Sequence, residues 1–107
     1  QANRFDAVNA IAHEYQSAVV LKGAGSLIAQ NNRISICGDG NPGMASGGMG
    51  DILSGVLGAL VASELSLENA VKAAVCLHSA AADDASVSGE KGLLATDLLP
   101  AIRSLLN

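Results

Sequence analysis

Aromatic side chains are nearly absent from this sequence, which contains one Phe, one Tyr and no Trp among its 107 residues. Charged residues are also scarce, at 15%, whereas 50% of the residues are hydrophobic. This composition excludes a disordered chain, since apolar residues are plentiful and charges few. Abundant alanine and glycine suit close packing of helices and strands, and the length allows one domain at most.

The sequence also lacks an excess of basic over acidic residues, with 6 Lys and Arg against 10 Asp and Glu. The formal net charge is -4 at pH 7, so the overall field does not favour nucleic acid or an anionic membrane as a partner. Any phosphate group would therefore have to be bound by local backbone geometry.

Cysteines and long apolar runs are few. Cys37 and Cys76 have no C-x-x-C spacing and no histidine at a metal-ligand spacing, so we expect two reduced, partly buried thiols rather than a disulfide. The longest apolar run, residues 52–62, is shorter than the roughly 20 residues of a membrane span. The polar start of the sequence predicts no signal peptide, and we expect a cytoplasmic protein.

Glycine is concentrated in one stretch, Asn-Pro-Gly-Met-Ala-Ser-Gly-Gly-Met-Gly-Asp at residues 41–51, which leads into an apolar helical pattern. Glycines let successive backbone N–H groups point inward, and the start of a helix adds further N–H donors, so the stretch suits a phosphate. Asp51 would repel that anion. Its carboxylate either stabilises the helix start, by about 0.3 to 1 kcal/mol, or acts as a general base.

The sequence before this stretch predicts a helix and a buried strand. Residues 4–15 have the spacing of an amphipathic helix, with Tyr15 in the core. Residues 18–21 form a continuous apolar run, typical of a strand buried on both faces of a parallel sheet. Lys22 and two glycines follow at the carboxyl end of that strand, where open α/β sheets bind ligands; alternatively, Lys22 is a surface lysine at a strand end.

Two short strands, residues 26–29 and 33–37, are predicted to form a hairpin, because Asn31 and Asn32 tolerate the positive φ of tight turns. Residues 38–43 match G-x-G-x-x-G. We reject a dinucleotide-binding fingerprint, because Pro42 and the following glycines delay the helix to about Gly48 or Gly50. A P-loop is excluded because G-K-[ST] is missing.

Three helices are predicted in the remaining sequence. The first, about residues 50–63, is apolar on all sides and should be buried, with Gly55 and Gly58 allowing close packing. The second begins after a Ser66 cap and ends near Asp84, and Thr96 caps the last. The residues predicted to face inward on the second and last helices are Leu67, Ala70, Val71, Ala74, His78, Ala81, Ala82, Leu98, Ala101, Ile102, Leu105 and Leu106.

Some polar residues have a structural interpretation that competes with a functional one. His78 lies among apolar residues, so a hydrogen-bonded core histidine is favoured over a catalyst. Asp83 and Asp84 resemble a metal-binding pair, but their position near a helix end favours a solvated surface. Residues 86–92 form a polar, glycine-containing loop that could cover a site.

Residues 22–26, 41–51 and 89–97 together resemble the ADP-dependent NAD(P)H-hydrate dehydratases, a branch of the ribokinase-like fold. The stretch at 41–51 is the most specific of the three, since a bare G-x-G-D indicates only the superfamily. The resemblance covers the whole chain but only the C-terminal part of the family's domain. It implies an α/β fold in which residues 1–107 are the C-terminal portion of a ribokinase-like three-layer sandwich.

The resemblance also implies a function: repair of the hydrated cofactors NADHX and NADPHX by removal of water at the expense of ADP, with Mg²⁺. Asp51 would contact the substrate and take the proton from its hydroxyl as that hydroxyl attacks the terminal phosphoryl of ADP; phosphate elimination would follow. The N–H groups of Gly47, Gly48, Met49 and Gly50 would stabilise the transferring charge. The positions matching the family's nucleotide (AMP) contacts are Lys22, Gly23, Ala24, Gly25, Ser26 and Gly50. The sequence shows no ligand set for Mg²⁺.

Two other functions stay open. The chain could be a small-molecule kinase of the same superfamily that stops at the phosphorylated alcohol, or a non-catalytic nucleotide-binding module that needs a missing N-terminal half. One strand and a hairpin make a thin sheet, and the open edge of the strand at residues 18–21 would be a liability. We therefore expect association with further copies, or with a missing segment.

Overall fold

The computed structural model describes residues 2–22 and 25–107, so the predictions for Gly23 and Ala24 lie outside the described residues. The chain divides into two compact units, Gln1–Gly38 and Asp39–Asn107.

The first unit contains one helix and an antiparallel sheet. Helix α1 (Ala2–Tyr15) is followed by strands β1 (Val19–Leu21), β2 (Ser26–Gln30) and β3 (Arg33–Cys37), in the sheet order β1-β2-β3. The core between α1 and the sheet contains Val8, Leu27 and Ala29, with Ala12, Val19, Leu21 and Ile34 packed around it.

The predicted hairpin is confirmed. Strands β2 and β3 pair in a register that places Gln30 opposite Arg33, so that only two residues form the turn. Those residues, Asn31 and Asn32, have φ values of 52° and 60°. Asparagine is among the residues that adopt this left-handed conformation most readily, which explains why the turn forms here.

Strand β1 differs from its prediction in pairing and burial. It pairs antiparallel with β2, with Val19 opposite Ala29, and its residues are only half-buried. It lies at one edge of the described sheet. A short apolar run indicates a strand but does not determine which neighbour the strand pairs with.

Helix α1 buries less of its apolar side than its periodicity predicts. Val8 is buried, but Tyr15 is 70% exposed, and Phe5 and Ile11 are also exposed. The prediction of Tyr15 as a core residue is therefore wrong. Within its unit, α1 packs on β1 and β2, and Val8 and Ala12 are its residues in that core.

The second unit is helical. A 3₁₀ turn (Pro42–Ala45) precedes α2 (Met49–Val61) and α3 (Leu67–Ala85), and two further 3₁₀ turns (Ser86–Ser88 and Ala95–Asp97) lead to α4 (Leu98–Leu106). Helix α3 packs against both α2 and α4. The shared core consists of Met49, Ala81, Ala82, Leu93, Leu98, Ala101 and Ile102.

Burial of α2 on all sides is not observed. Met49 and Leu53 are its buried residues, and a Cβ added at Gly55 or Gly58 would meet no atom within 4 Å. Helix α2 packs on α3 and on the Ala95–Asp97 turn, so one side alone is covered. The prediction that these glycines allow close packing is therefore wrong for the described residues.

The predicted caps are partly confirmed. Ser66 Oγ accepts a hydrogen bond from Asn69 N at 3.2 Å and caps α3. Before α4, the carboxylate of Asp97 accepts from Leu94 N at 2.8 Å and closes the 3₁₀ turn Ala95–Asp97. The start of α4 itself has no side-chain cap, so the prediction of Thr96 as its cap is wrong. Leu67, Leu105 and Leu106 are exposed instead of facing inward.

Cys37 and Cys76 are reduced and are not joined by a disulfide, as predicted; Cys37 is buried and Cys76 is half-buried. Among the helices that the structure describes, none is long and apolar enough to cross a membrane.

Candidate functional site

The glycine-rich stretch forms a loop that leads directly to the N-terminus of α2. Gly48 precedes the helix with φ 88° and ψ -7°, a left-handed conformation that favours glycine, and α2 begins at Met49. The 3₁₀ turn Pro42–Ala45 begins within residues 38–43 and ends before the helix, so the helix does not start inside this motif. The predicted delay of the helix, on which the rejection of a dinucleotide-binding fingerprint rests, is therefore confirmed.

The N-terminus of α2 is open. No side chain caps the helix at Gly48, and Gly47 and Gly48 are exposed while Gly50 is half-buried. A helix start leaves backbone N–H groups without intrahelical partners, and its dipole favours a negative ligand. The predicted anion-binding residues Gly47, Gly48, Met49 and Gly50 therefore lie together at a suitable place for a phosphate.

Asp51 lies in the first turn of α2, and its side chain is exposed. The same turn thus presents backbone donors, which attract an anion, and a carboxylate, which can accept a proton. Phosphoryl transfer to an alcohol needs both kinds of group close together. The role of Asp51 as a base stays a prediction.

Asp83, in the last part of α3, holds the beginning of the loop. One carboxylate oxygen accepts from Gly40 N at 2.9 Å and the other accepts from Asn41 Nδ2 at 2.8 Å. The prediction of a solvated surface is therefore wrong for Asp83, which is half-buried, and correct for Asp84, which is exposed. No local pattern signals this contact, because its partners are separated by more than 40 positions.

Asn41 extends the same network into the loop. Its Oδ1 accepts from Gly43 N at 2.9 Å, which caps the 3₁₀ turn, and its Nδ2 also donates to Ser86 Oγ at 3.2 Å. The side chain of Asn41 therefore links the loop to itself and to the end of α3.

The loop also packs against residues 86–93, which include the segment predicted to cover a site. A Cβ on Gly43 would lie 2.7 Å from Glu90 O and 2.8 Å from Asn41 Oδ1. Ser46 Oγ donates to Leu93 O at 2.6 Å. Residues 86–93 thus support the glycine-rich loop directly.

His78 fastens the other end of the loop. It is 2% exposed, and its Nε2 lies 3.0 Å from Met49 O, in the first residue of α2. A carbonyl oxygen only accepts, so Nε2 carries the proton in this contact. His78 is thus a buried, hydrogen-bonded core histidine, as predicted, and its contact with the start of α2 is one that no local sequence pattern indicates.

The residues predicted to bind the nucleotide lie mostly in the first unit. Lys22 is exposed directly after β1, Gly25 has φ 68°, and Ser26 begins β2. Arg4 Nη2 donates to Gly25 O at 3.4 Å, which ties α1 to this segment. The assignment of these residues to a nucleotide stays a prediction.

A protein-built metal site is not found in the part of the chain that the structure describes, where no group of three or more His, Cys, Asp or Glu residues could hold an ion. The alternative of a metal pair at Asp83 and Asp84 has no support either, since both oxygens of Asp83 already accept hydrogen bonds.

Comparison with known proteins connects these features to one family. The chain matches the family model for NAD(P)H-hydrate dehydratase over residues 1–104. It is 54% identical over 109 residues to the bifunctional NAD(P)H-hydrate repair enzyme of Coxiella burnetii, covering 100% of this chain and 22% of that enzyme. It is 40% identical over 110 residues to the ADP-dependent (S)-NAD(P)H-hydrate dehydratase of Neisseria meningitidis, covering 100% and 37%.

The fold agrees with these relatives. A crystal structure of the Bacillus subtilis ADP/ATP-dependent NAD(P)H-hydrate dehydratase, co-crystallised with ATP/Mg²⁺, superposes with a TM-score of 0.92 at 29% identity, over 99% of this chain and 39% of that one. The prediction of an α/β, ribokinase-like fold is thereby confirmed over the matched part. The chain spans well under half the length of these relatives, and it belongs to the NAD(P)H-hydrate dehydratase family.

Proposed function

We propose that this chain supplies the general base and the phosphate-binding turn of an enzyme that dehydrates NAD(P)H hydrates at the expense of ADP. The observation that carries the proposal is the uncapped start of α2, where left-handed Gly48 precedes open N–H groups and exposed Asp51. The family match, which includes an ADP-dependent relative, supports the same conclusion.

The proposed reaction begins with phosphoryl transfer. The hydroxyl oxygen of NADHX or NADPHX attacks the terminal phosphorus of ADP, the bond to the bridging oxygen breaks, and AMP leaves. Asp51, in contact with the substrate, accepts the hydroxyl proton. The phosphorylated hydrate then loses phosphate with the C–O electron pair and a proton from the adjacent ring carbon, which restores the nicotinamide double bond. A positioned base contributes about 10²- to 10⁴-fold to such a transfer.

In this proposal, backbone N–H groups contribute more to the rate acceleration than the base does. The N–H groups of residues 47–50 would stabilise charge on the transferring phosphoryl group, since phosphoryl transfer depends mainly on positioning and electrostatics. Gly50 and the segment at residues 22–26, including Gly23 and Ala24, are the proposed contacts of the AMP part of ADP. Lys22 adds the positive charge that the nucleotide requires.

Mg²⁺ is the expected cation, and the B. subtilis relative was crystallised with ATP/Mg²⁺. Because the described residues offer no cluster of metal ligands, the donor set does not fit a protein-held ion. Mg²⁺ commonly binds through substrate phosphates instead.

We also propose that the chain works in the cytoplasm and in association, either with further copies or with additional sequence. The aligned part is only 22% and 37% of the length of two relatives, and many large apolar side chains are exposed in this chain. No nucleic acid or membrane partner is proposed, since the net charge is -4.

The test uses the intact natural protein that contains this chain. Supplied with ADP, Mg²⁺ and hydrated NADH, it should restore the absorbance of reduced nicotinamide and release phosphate and AMP in equal amounts. A stable phosphoester without recovery of absorbance would indicate the kinase alternative. ADP binding without turnover would indicate a non-catalytic binding module and would overturn the proposal.

A further inference from the structure

We propose that Asp83 and Asn41 form a positioning pair for phosphoryl transfer, which we call the loop clamp. The clamp rests on the proposed function, because its effect is to fix the residues that meet the transferring phosphoryl group. Neither side chain need touch the substrate for the clamp to affect the rate.

The clamp is built from short contacts between distant parts of the chain. The carboxylate of Asp83 accepts from Gly40 N at 2.9 Å and from Asn41 Nδ2 at 2.8 Å. Asn41 in turn accepts from Gly43 N at 2.9 Å. Hydrogen bonds to a charged acceptor are about twice as strong as neutral ones, so Asp83 is a firm anchor.

The clamp fixes the glycine-rich loop because residues of α3 hold the loop at both of its ends. Asp83 holds the beginning of the loop at Gly40 and Asn41, and His78 holds its end through Met49 O at 3.0 Å. Both anchors lie on α3 (Leu67–Ala85). A loop held at two points of one rigid helix presents its N–H groups in one arrangement, and α2 packs on the same helix.

Loss of one anchor should therefore impair catalysis more than binding. Asp83→Asn keeps one acceptor but places an NH₂ group against one of two donors, Gly40 N or Asn41 Nδ2. The loop would move away from α3 at its first anchor, and displaced N–H groups would stabilise the transition state less well. We expect kcat to fall about 10- to 100-fold, as for other small displacements of catalytic groups, with a smaller change in KM for ADP.

An exchange of the two residues, Asn41→Asp/Asp83→Asn, gives a sharp test. The new amide at position 83 can accept from Gly40 N and donate to the new carboxylate at position 41, which can still accept from Gly43 N. The geometry thus allows these three contacts to form again with the amide and the carboxylate exchanged, and the net charge is unchanged. The weaker contact of Asn41 Nδ2 with Ser86 Oγ, at 3.2 Å, is lost in the exchange, since a carboxylate has no proton to donate. Each single substitution should lower kcat, and the double exchange should restore most of it.

The measurements use the intact protein that contains this chain, with kcat, KM for ADP and the thermal midpoint determined for each variant. Asp84→Asn is the control, because it removes the same charge at the neighbouring, exposed position and should leave kcat unchanged. A merely structural contact would lower the midpoint and leave kcat of the folded fraction unaltered. Wild-type kcat in Asp83→Asn, or a double exchange that restores the midpoint but not kcat, would overturn the clamp.

Amide hydrogen exchange of residues 40–51 separates this proposal from the proposed function. The clamp predicts faster exchange there in Asp83→Asn and recovery in the double exchange, and unchanged rates would overturn it even if a variant were poorly active. Absence of dehydration by the wild-type protein would instead overturn the proposed function. If Asp83→Asn fails to fold, Asn41→Asp and the double exchange give the same comparison.

Discussion

Asp51 stands in the first turn of a helix, where any carboxylate stabilises the helix, so its chemical and structural roles must be separated. Asp51→Asn removes the proton acceptor but keeps the size of the side chain. We expect kcat for dehydration to fall about 10²- to 10⁴-fold, with a loss of stability of at most about 1 kcal/mol. ADP should bind as well or better, since a negative charge beside its phosphates is removed. Turnover assays and calorimetric titration with ADP measure the two effects.

Glu68→Gln is a control, because Glu68 is the acidic residue in the first turn of α3; it also removes the ion pair of Glu68 with Lys72, at 3.3 Å. It should lower stability slightly and leave kcat unchanged. Equal turnover by Asp51→Asn and the unmodified protein would leave Asp51 with only the structural role.

Gly43 is required by close contact rather than by its φ angle. A Cβ there would lie 2.7 Å from Glu90 O and 2.8 Å from Asn41 Oδ1. Gly43→Ala must therefore push the loop away from residues 86–93, and overpacking of this kind costs about 1 to 3 kcal/mol. Denaturant unfolding measures the loss. Gly47→Ala is the comparison, since a Cβ at Gly47 would meet no atom within 4 Å; similar losses in both variants would contradict the contact.

The residues of the loop were easier to predict from the sequence than the residues that hold it. The roles proposed for Gly48 and Asp51 and the delayed start of the helix can be predicted from the conformational preferences of neighbouring glycine and proline residues. No knowledge of distant contacts is needed for them. The partners of the loop, Asp83, His78 and Glu90, lie 29 or more positions from the atoms they meet. A single sequence carries no signal of such pairs, which form only when helices and loops pack.

Helix α2 retains two glycines whose surroundings are open. Glycine costs about 1 kcal/mol relative to alanine inside a helix, and a Cβ at Gly58 would meet no atom within 4 Å. Gly58→Ala should therefore raise the free energy of unfolding of this chain by about 1 kcal/mol. Urea unfolding monitored by circular dichroism measures the change.

Ala59→Gly is the reciprocal control on the exposed side of the same helix, and it should lower stability by a similar amount. A loss of stability in Gly58→Ala would show that another surface packs closely against this glycine in solution.

At the level of secondary-structure elements, the features predicted from local turn and cap residues are present in the structure. The hairpin depended on two asparagines at the turn, and the start of α3 depended on Ser66; both are observed. Burial of α2 and of Tyr15 was inferred from apolar content and periodicity, and both inferences were wrong. Apolar periodicity states which side of a helix can be buried, but the available neighbours decide whether it is. Here α2 packs on α3 and the 3₁₀ turn before α4, and α1 packs on two short strands.

Large apolar side chains are exposed in both units of the described structure. Tyr15 and Ile36 are 70% and 60% exposed in the first unit, and Leu67 and Leu106 are 58% and 60% exposed in the second. Strand β1 is also an edge of the described sheet. Exposed apolar groups and an open strand edge favour association. The dehydratase relatives extend well beyond the aligned part, and additional sequence is one way in which such surfaces become covered.

The 107-residue chain expressed by itself should therefore self-associate. Light scattering at micromolar concentration should give a mass above the 10.7 kDa of one chain, and the mass should rise with concentration, as mass action requires. Two double variants locate the surface responsible for self-association. Ile11→Glu/Tyr15→Glu alters α1, and Leu99→Glu/Leu106→Glu alters α4. All four residues are exposed. The variant that restores a monomer identifies the associating helix, because a buried unpaired charge is costly. A concentration-independent mass of one chain for the unmodified sequence would contradict association and show that these apolar side chains are tolerated in water.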